Sequence, residues 1–290
     1  MQSSTGNISR VEILKRLRVA ALIVGEPRGA ELWALRSIFA GPCELHVVQA
    51  LHYSAVSILK RARSQVKAHG LLKSFSRWMG KGLFGVREHK RTQQILDQLF
   101  GVSDLREWWV RSGIVPTKVP HLNHIYSRAA LEKIQPDILV RVSGGLLKRH
   151  IFSQAKLATL NIHHGQAPLI RGLSNIAWGI LENRREWIGT TIHVIDEGID
   201  TGTVLWRGAP QLAPGDSAAS LYFRAHLEGV AALVRILEGY ARSEAPPLWE
   251  LPRRETSNYR SAFDLAAWLT FLVLGRGRRA RVLIERAIEC

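Results

Sequence analysis

Cysteine is nearly missing from this 290-residue chain: only Cys43 and the terminal Cys290 occur. Two residues so placed exclude a disulfide framework, and neither belongs to a Cys-x-x-Cys pair that would hold zinc or run redox chemistry. A reducing cytoplasm is the expected compartment. Long apolar runs are missing too. The longest, Leu265 to Leu274 (LAAWLTFLVL), is about half of the roughly 20 residues that span a bilayer. The N-terminus carries charges through its first half and one short apolar run, Val19 to Val24, without a small-residue cleavage site, so no secretion signal is expected. Acidic residues are scarce: 24 Asp and Glu stand against 40 Lys and Arg, a net charge of +16. Such a field attracts phosphate-bearing substrates, nucleic acid or an anionic membrane surface, and charge alone does not choose among them. What remains, 46% hydrophobic and 22% charged residues, reads as a folded protein with one main domain.

Residues 17–25 (LRVAALIVG) form a β-branched apolar run ending in Gly25, followed by the turn Glu26-Pro27-Arg28-Gly29 and a helical pattern, AELWALRSIFAG. Strand, turn and helix open an α/β unit, and residues 44–49 (ELHVVQ) read as the next strand. The turn admits two readings, a plain turn or a glycine-poor phosphate cradle. From Ser54 to Lys90, basic residues such as Lys67, Lys73, Arg77 and Lys81 alternate with Leu71, Leu72, Phe75, Trp78 and Met79. The spacing predicts one or two basic amphipathic helices broken near Gly70. They either pack on the sheet with their charges in water or contact a phosphorylated substrate, an acidic partner or a membrane surface.

Further on, residues 94–112 read as one helix, 114–120 as extended, 127–134 as a short helix, and 138–142 as a buried strand ending at Ser143-Gly144-Gly145. Between Ala158 and Leu205 the pattern is strand (TLNIHH), Gly- and Pro-bearing loop (GQAPLIRG), helix (LSNIAWGILEN), strand (GTTIHVID), turn (EGIDTG) and strand (TVLWRG). A helix follows over 216–243, then a Pro- and Arg-bearing tail, 244–290, with one apolar helix. The expectation is an α/β fold, a mostly parallel twisted sheet flanked by helices, over residues 1–243, with the tail as a short helical appendage. Its ligands should sit at the carboxyl ends of the strands.

Three polar residues stand where polar residues need a reason. Asn161 and His163 alternate on one strand, so their side chains share a face. Asp200 lies on the turn after the next strand, and the three converge if those strands are neighbours. Such a trio suits acyl transfer to a nitrogen. The Asn161 amide would stabilise the oxyanion of the tetrahedral intermediate. His163, its ordinary pKa about 6.5, would serve as acid or base in protonated form, and Asp200 would orient the imidazole, raise its pKa and relay the proton. No cluster with metal-ligand spacing is present in the sequence, so no metal is expected.

The segments NIHHGQAPLIRG and IGTTIHVIDEGIDTGTVL resemble the folate-dependent formyltransferase family, which includes methionyl-tRNA, glycinamide ribonucleotide and sugar N-formyltransferases. The family's Asn-x-His, the Pro and Arg-Gly that follow, and the later Asp-x-Gly fall here on Asn161, His163, Pro168, Arg171-Gly172 and Asp200-Thr201-Gly202. PDILVRVSGGLL is similar to the strand and loop beside the folate site, one residue shorter than in the transfer-RNA enzyme. His164-Gly165 replaces the pair common after the catalytic His. The resemblance implies a Rossmann-like formyltransferase fold, Asn161, His163 and Asp200 as the catalytic trio, and 10-formyltetrahydrofolate as co-substrate. It also implies a pterin site of main-chain groups around Gly144, Gly145, Leu146 and Leu147 and around Ile195, Asp196, Glu197 and Gly198. A flat pterin edge suits such loops.

For the acceptor, the resemblance points first to a small-molecule amine bearing phosphate, a nucleotide-linked amino sugar, with Trp178, Trp206, Tyr222 and Tyr259 able to stack on a base or sugar. The roughly 50 residues after Gly239 fall short of the second domain of the transfer-RNA enzyme. That enzyme's acceptor stands second on the basic charge, an amino-acid or peptide amine in natural-product biosynthesis third, and a non-catalytic folate-binding module last. A homodimer through the tail is an expectation by analogy only. Peripheral membrane contact would run through the basic 54–90 segment and the helix at 265–274, followed by Arg276, Arg278, Arg279 and Arg281.

Overall fold

The chain is seen in a computed structural model that describes residues 16–51, 70–100, 105–213, 216–248 and 257–274, with Arg63, Val66 and Lys67. Most of 54–69, and all of 249–256 and 275–290, lie outside the described residues. Seven strands form one twisted sheet: β1 (Leu17–Val24), β2 (Cys43–Ala50), β3 (Thr117–Val119), β4 (Ile138–Arg141), β5 (Ala158–His163), β7 (Thr190–Val194) and β8 (Val204–Gly208), in the order β3-β2-β1-β4-β5-β7-β8. The first five are parallel, and β7 and β8 run antiparallel at one edge. β1 and β4 sit at the centre with both faces covered, which is why they read as continuous apolar runs rather than alternating ones.

Helices cover both faces. On one, α1 (Gly29–Phe39) and α8 (Ala218–Ala241) pack Leu32, Leu35, Leu233 and Ile236 against Val19, Ile138 and Leu160. On the other, α5 (Ile125–Ile134) and the single turn α6 (Arg149–Phe152) cover Leu22, Val48 and Leu139 through Leu131 and Ile151. α8 begins where Ser217 Oγ accepts from the Ser220 amide at 3.1 Å while the Ser220 side chain reaches back to the Ser217 amide. Such a reciprocal cap is worth roughly 0.5–2 kcal/mol.

Three expectations change. The helix expected over 94–112 is two, α3 (Val86–Leu99) and α4 (Leu105–Ser112), with residues 101–104 outside the described set. The loop after His163 contains a short strand, β6 (Ile170–Gly172), which pairs in parallel with β9 (Asn258–Arg260) from the tail. The basic segment after Gly70 forms α2 (Leu71–Gly80), a turn of π-helix (Lys81–Gly85) and then α3. α2 packs against the apolar tail helix α9 (Leu265–Leu274), not on the sheet. α7 (Asn175–Glu182), α9 and the first half of α8 build a satellite core around Ile180, Phe263 and Phe271, so the tail helix α9 packs on the main body.

Candidate active site

The site grows from register. Arg141 on β4 pairs with Asn161 on β5, and Asn161 pairs with His193 on β7. Paired residues in a pleated sheet share a face, so the three side chains stand in a row across adjacent strands. Arg141 Nε donates to Asn161 Oδ1 at 2.9 Å, which orients the amide, and Asn161 Nδ2 faces His193 Nε2 at 2.9 Å. His193 Nδ1 lies 2.9 Å from the Val194 carbonyl. The Asn161 amide nitrogen keeps a second hydrogen that no described residue takes up.

Asp200 closes the row from the turn after β7, itself at a positive φ of 51°. Its Oδ1 is 3.6 Å from His193 Nε2, its Oδ2 is 3.4 Å from His163 Nδ1, and the Gly172 amide donates to Oδ2 at 3.0 Å. Burial alone would raise the Asp200 pKa. The His193 and His163 rings and the Gly172 N–H outweigh it and hold the carboxyl well below the usual range, so it is ionised at neutral pH.

The expected trio therefore does come together, because β5 and β7 are neighbours. One expectation about it is corrected. Protonated His163 was to stabilise the oxyanion, with Asp200 raising its pKa. His163 is buried, and burial pushes its pKa down to about 4 against the upward pull of Asp200, with His193 and Arg141 adding to the fall. The ring is neutral at working pH. Its Nε2 accepts from Asn175 Nδ2 at 2.7 Å, which makes Nδ1 the donor toward Asp200. Asn175 Oδ1, at the start of α7, is buried without a hydrogen-bond partner among the described residues.

Three members of this network were not expected: Arg141, His193 and Asn175. His193 alternates with Thr191 on its strand, the same period-two signal that singled out Asn161 and His163. Arg141 is the charge inside an otherwise apolar strand, ILVR. Asn175 carries no signal in the sequence beyond its place near a helix start. His164 turns away from the site, stacking on Tyr222 at 4.1 Å with its Nε2 2.9 Å from His226 Nδ1.

Of the residues expected to hold folate, Gly144, Gly145, Leu146 and Leu147 follow β4, and Ile195, Asp196, Glu197 and Gly198 follow β7. Arg141 ties the first loop to the Asn161 amide, because its Nη1 donates to the carbonyls of Gly145 (3.1 Å) and Gly144 (3.4 Å). Gly144 has φ 116°, and a Cβ there would meet Leu122 Cδ1 at 2.8 Å. In the second loop Asp196 Oδ1 accepts from the Gly198 amide (3.0 Å) and Thr201 Oγ1 (2.7 Å), shaping the turn, and the Ile195 amide bonds to the Thr159 carbonyl. Glu197 reaches Arg149 at 3.2 Å across the mouth.

The turn at 25–29 is a plain turn. Three of its amides are spoken for, Gly25 by the Ala50 carbonyl, Arg28 by Glu31 and Gly29 by Asp97. Two of those acceptors are carboxylates, which oppose a phosphate there.

A cavity of about 270 Å³ is walled by Arg77 of α2, Trp178, Tyr259, Arg260 and Asp264. Arg260 is held by Glu182 through two bonds of 2.9 Å and lies over the Trp178 ring at 5.7 Å. The link to the site is Gly172. Its amide holds Asp200, while a Cβ on it would run into the Arg260 carbonyl and lie 3.1 Å from the Tyr259 ring.

Comparison with known proteins gives these features a context. Residues 123–237 match the family model described as formyl transferase. The chain is 35% identical over 131 residues to a methionyl-tRNA formyltransferase of Anaeromyxobacter dehalogenans (strain 2CP-1 / ATCC BAA-258), covering 44% of this chain and 42% of that protein. It is 27% identical over 177 residues to the one of Chlorobium chlorochromatii (strain CaD3), covering 53% and 56%. The chain thus spans about half the length of the curated relatives it matches. Among solved structures, a sugar N-formyltransferase from Shewanella sp FDAARGOS_354 superposes with a TM-score of 0.54 at 13% identity, covering 93% of this chain and 87% of that one. That likeness is one of fold.

Proposed function

We propose that the protein is an N-formyltransferase, a reading supported by the match of residues 123–237 to the formyl transferase family model. It would take the formyl group of 10-formyltetrahydrofolate to a primary amine, that of a nucleotide-linked amino sugar. The observation that carries the chemistry is the row Arg141, Asn161, His193 closed by ionised Asp200. The formyl donor supplies an electrophilic carbonyl carbon. The loops 144–147 and 195–198 fit its flat pterin because they flank the row at the carboxyl ends of β4 and β7 and are partly or wholly exposed, apart from Leu147.

As the amine nitrogen bonds to the formyl carbon and the carbon–N10 bond breaks, negative charge develops on the formyl oxygen. The second Asn161 N–H donates to that oxygen from a water-poor site, where one such donor is worth roughly 3–4 kcal/mol. Asp200, the anionic group of the network, relays the amine's proton to N10 of the departing tetrahydrofolate, which leaves as N10–H and regenerates the carboxylate. Neutral His163 steers Asp200 through Nδ1, and Asn175 Oδ1 supplies an acceptor beside it for an incoming N–H. The acceptor would enter through the cavity behind Gly172, whose aromatic and cationic wall of Trp178, Tyr259 and Arg77 suits a sugar bearing phosphate.

The identity to methionyl-tRNA formyltransferases and the net charge of +16 favour charged transfer RNA as the second acceptor to try. The test is tetrahydrofolate release from 10-formyltetrahydrofolate with nucleotide-linked 3-amino and 4-amino sugars beside charged methionyl-tRNA. Release with an amino sugar is expected. Release with the transfer RNA alone would replace the acceptor, and silence with every amine despite folate binding would replace the enzyme by a binding module.

A further inference from the structure

We infer that the outward face of α2 is an interfacial dock by which the protein lies on an anionic lipid bilayer. The helix is amphipathic but turned inside out. At about 100° per residue, Leu71, Leu72, Phe75 and Met79 fall on one arc of the helix. They are 70%, 82%, 55% and 37% exposed. The opposite arc, made of Ser74, Ser76 and Gly80, is the packed one. Ser74 and Gly80 are buried, the Leu265 amide donates to Ser76 Oγ at 3.3 Å, and a Cβ on Gly80 would meet the Leu265 nitrogen at 2.9 Å. A surface helix ordinarily buries its apolar stripe. Single exposed apolar residues need no account, but a contiguous stripe carried on by Leu83, 56% exposed, marks a contact surface.

Charge selects the occupant. Between residues 60 and 90 the sequence holds nine Lys and Arg against one Glu, and Lys67, Lys73 and Lys81 are exposed on this part of the chain. A second copy seated on this face would bring two strongly basic segments together, whereas an anionic leaflet complements them, each basic residue near it strengthening attachment roughly fivefold. α2 has 10 residues, and among the described residues no helix is long and apolar enough to cross a membrane, so the helix would lie in the interface plane.

The test is co-sedimentation of the full chain with vesicles of phosphatidylcholine alone or mixed equally with phosphatidylglycerol. Binding is expected only to the mixed vesicles. It should weaken from 0.15 M to 1 M salt as the screening length falls from about 8 Å to about 3 Å. The variants Leu72→Glu and Phe75→Glu, neither of which lines the cavity, should bind at least about tenfold more weakly, since one desolvated Leu or Phe side chain carries about that factor. Their thermal unfolding and folate binding should stay at wild-type values. Val115→Glu, at an 87% exposed apolar site elsewhere, should bind like wild type. Wild-type protein that stays in the supernatant with anionic vesicles at low salt overturns the inference, as does undiminished sedimentation of both variants. A dimer in sedimentation velocity that Phe75→Glu dissociates, without lipid binding, would assign the face to a second copy instead.

Discussion

Replacing Arg141 with Met tests the chemistry at its least obvious point. Met keeps much of the side-chain volume but removes the guanidinium that donates to Asn161 Oδ1 at 2.9 Å and to the Gly145 carbonyl at 3.1 Å. Asn161 is 1% exposed, so water does not readily replace the lost donor. A hydrogen bond to a charged group is worth about 1.5–3 kcal/mol. If the Asn161 amide loses that support as it receives the formyl oxygen, the rate falls by roughly 10- to 150-fold. The upper limit is set by the roughly 10²–10³-fold loss that follows removal of a whole oxyanion donor. We expect Arg141→Met to lower kcat about 10- to 100-fold in the tetrahydrofolate-release assay, with little change in far-UV circular dichroism. The Arg141 charge also depresses the His163 pKa, so its loss should move the acid limb of the kcat profile to higher pH. Arg141→Lys should recover the charge but only part of the rate, because one ammonium cannot reproduce the planar fork that spans Asn161 and Gly145. A Met variant with wild-type kcat and an unmoved acid limb would refute the role given to this row.

Asp200→Asn keeps the size of the carboxyl but removes the proton acceptor, and turnover should fall by about 10²–10⁴-fold, read as tetrahydrofolate release; His163→Ala should also abolish turnover. Stability should depend on pH through imidazoles held neutral by burial. His163 and His226 have pKa values lowered from 6.5 to about 4, and His164 lies well below its ordinary value. Above about pH 6.5 these rings are neutral folded or unfolded. As the pH falls from 6.5 toward 4 the unfolded chain binds protons that the folded chain refuses, and each of the first two rings removes roughly 3 kcal/mol. Thermal melts should therefore be flat near pH 7 to 8 and drop steeply between 6.5 and 4; a flat Tm across that window would contradict the burial of these rings. Gly172→Ala should destabilise by more than about 1 kcal/mol and cut turnover, because φ there is 103° and the new Cβ meets the Arg260 carbonyl. Wild-type melting and turnover of that variant would mean that the β6–β9 pairing does not support Asp200.

Much of this architecture is written locally. The β-branched runs at 17–24 and 138–141, the punctuation by Gly and Pro, and the alternation of Asn161 with His163 are short-range patterns. A chain of a few residues carries all the information they need. Asn161, His163 and Asp200 stood out because polar residues at a strand end are costly without a purpose. His193 carried the same alternating signal, and Arg141 was the more conspicuous anomaly, a charge within an apolar strand. Both went unread because what they touch depends on which strands are neighbours. The β6–β9 pairing was invisible for the same reason, since Gly172 and Arg260 come from segments far apart in the chain.

The amino-acid sequence by itself determined most of the strands and helices, the polar residues that demand a role, and the apolar stripe of α2. Only the tertiary structure decided which neighbours those residues have. Register across β4, β5 and β7 aligned Arg141, Asn161 and His193. Burial made His163 neutral although a carboxylate lies 3.4 Å away. The packing of Ser76 and Gly80 on α9 turned the apolar side of α2 outward. Periodicity tells which residues share a face, but desolvation and pairing depend on what that face meets, and this is a property of the folded chain.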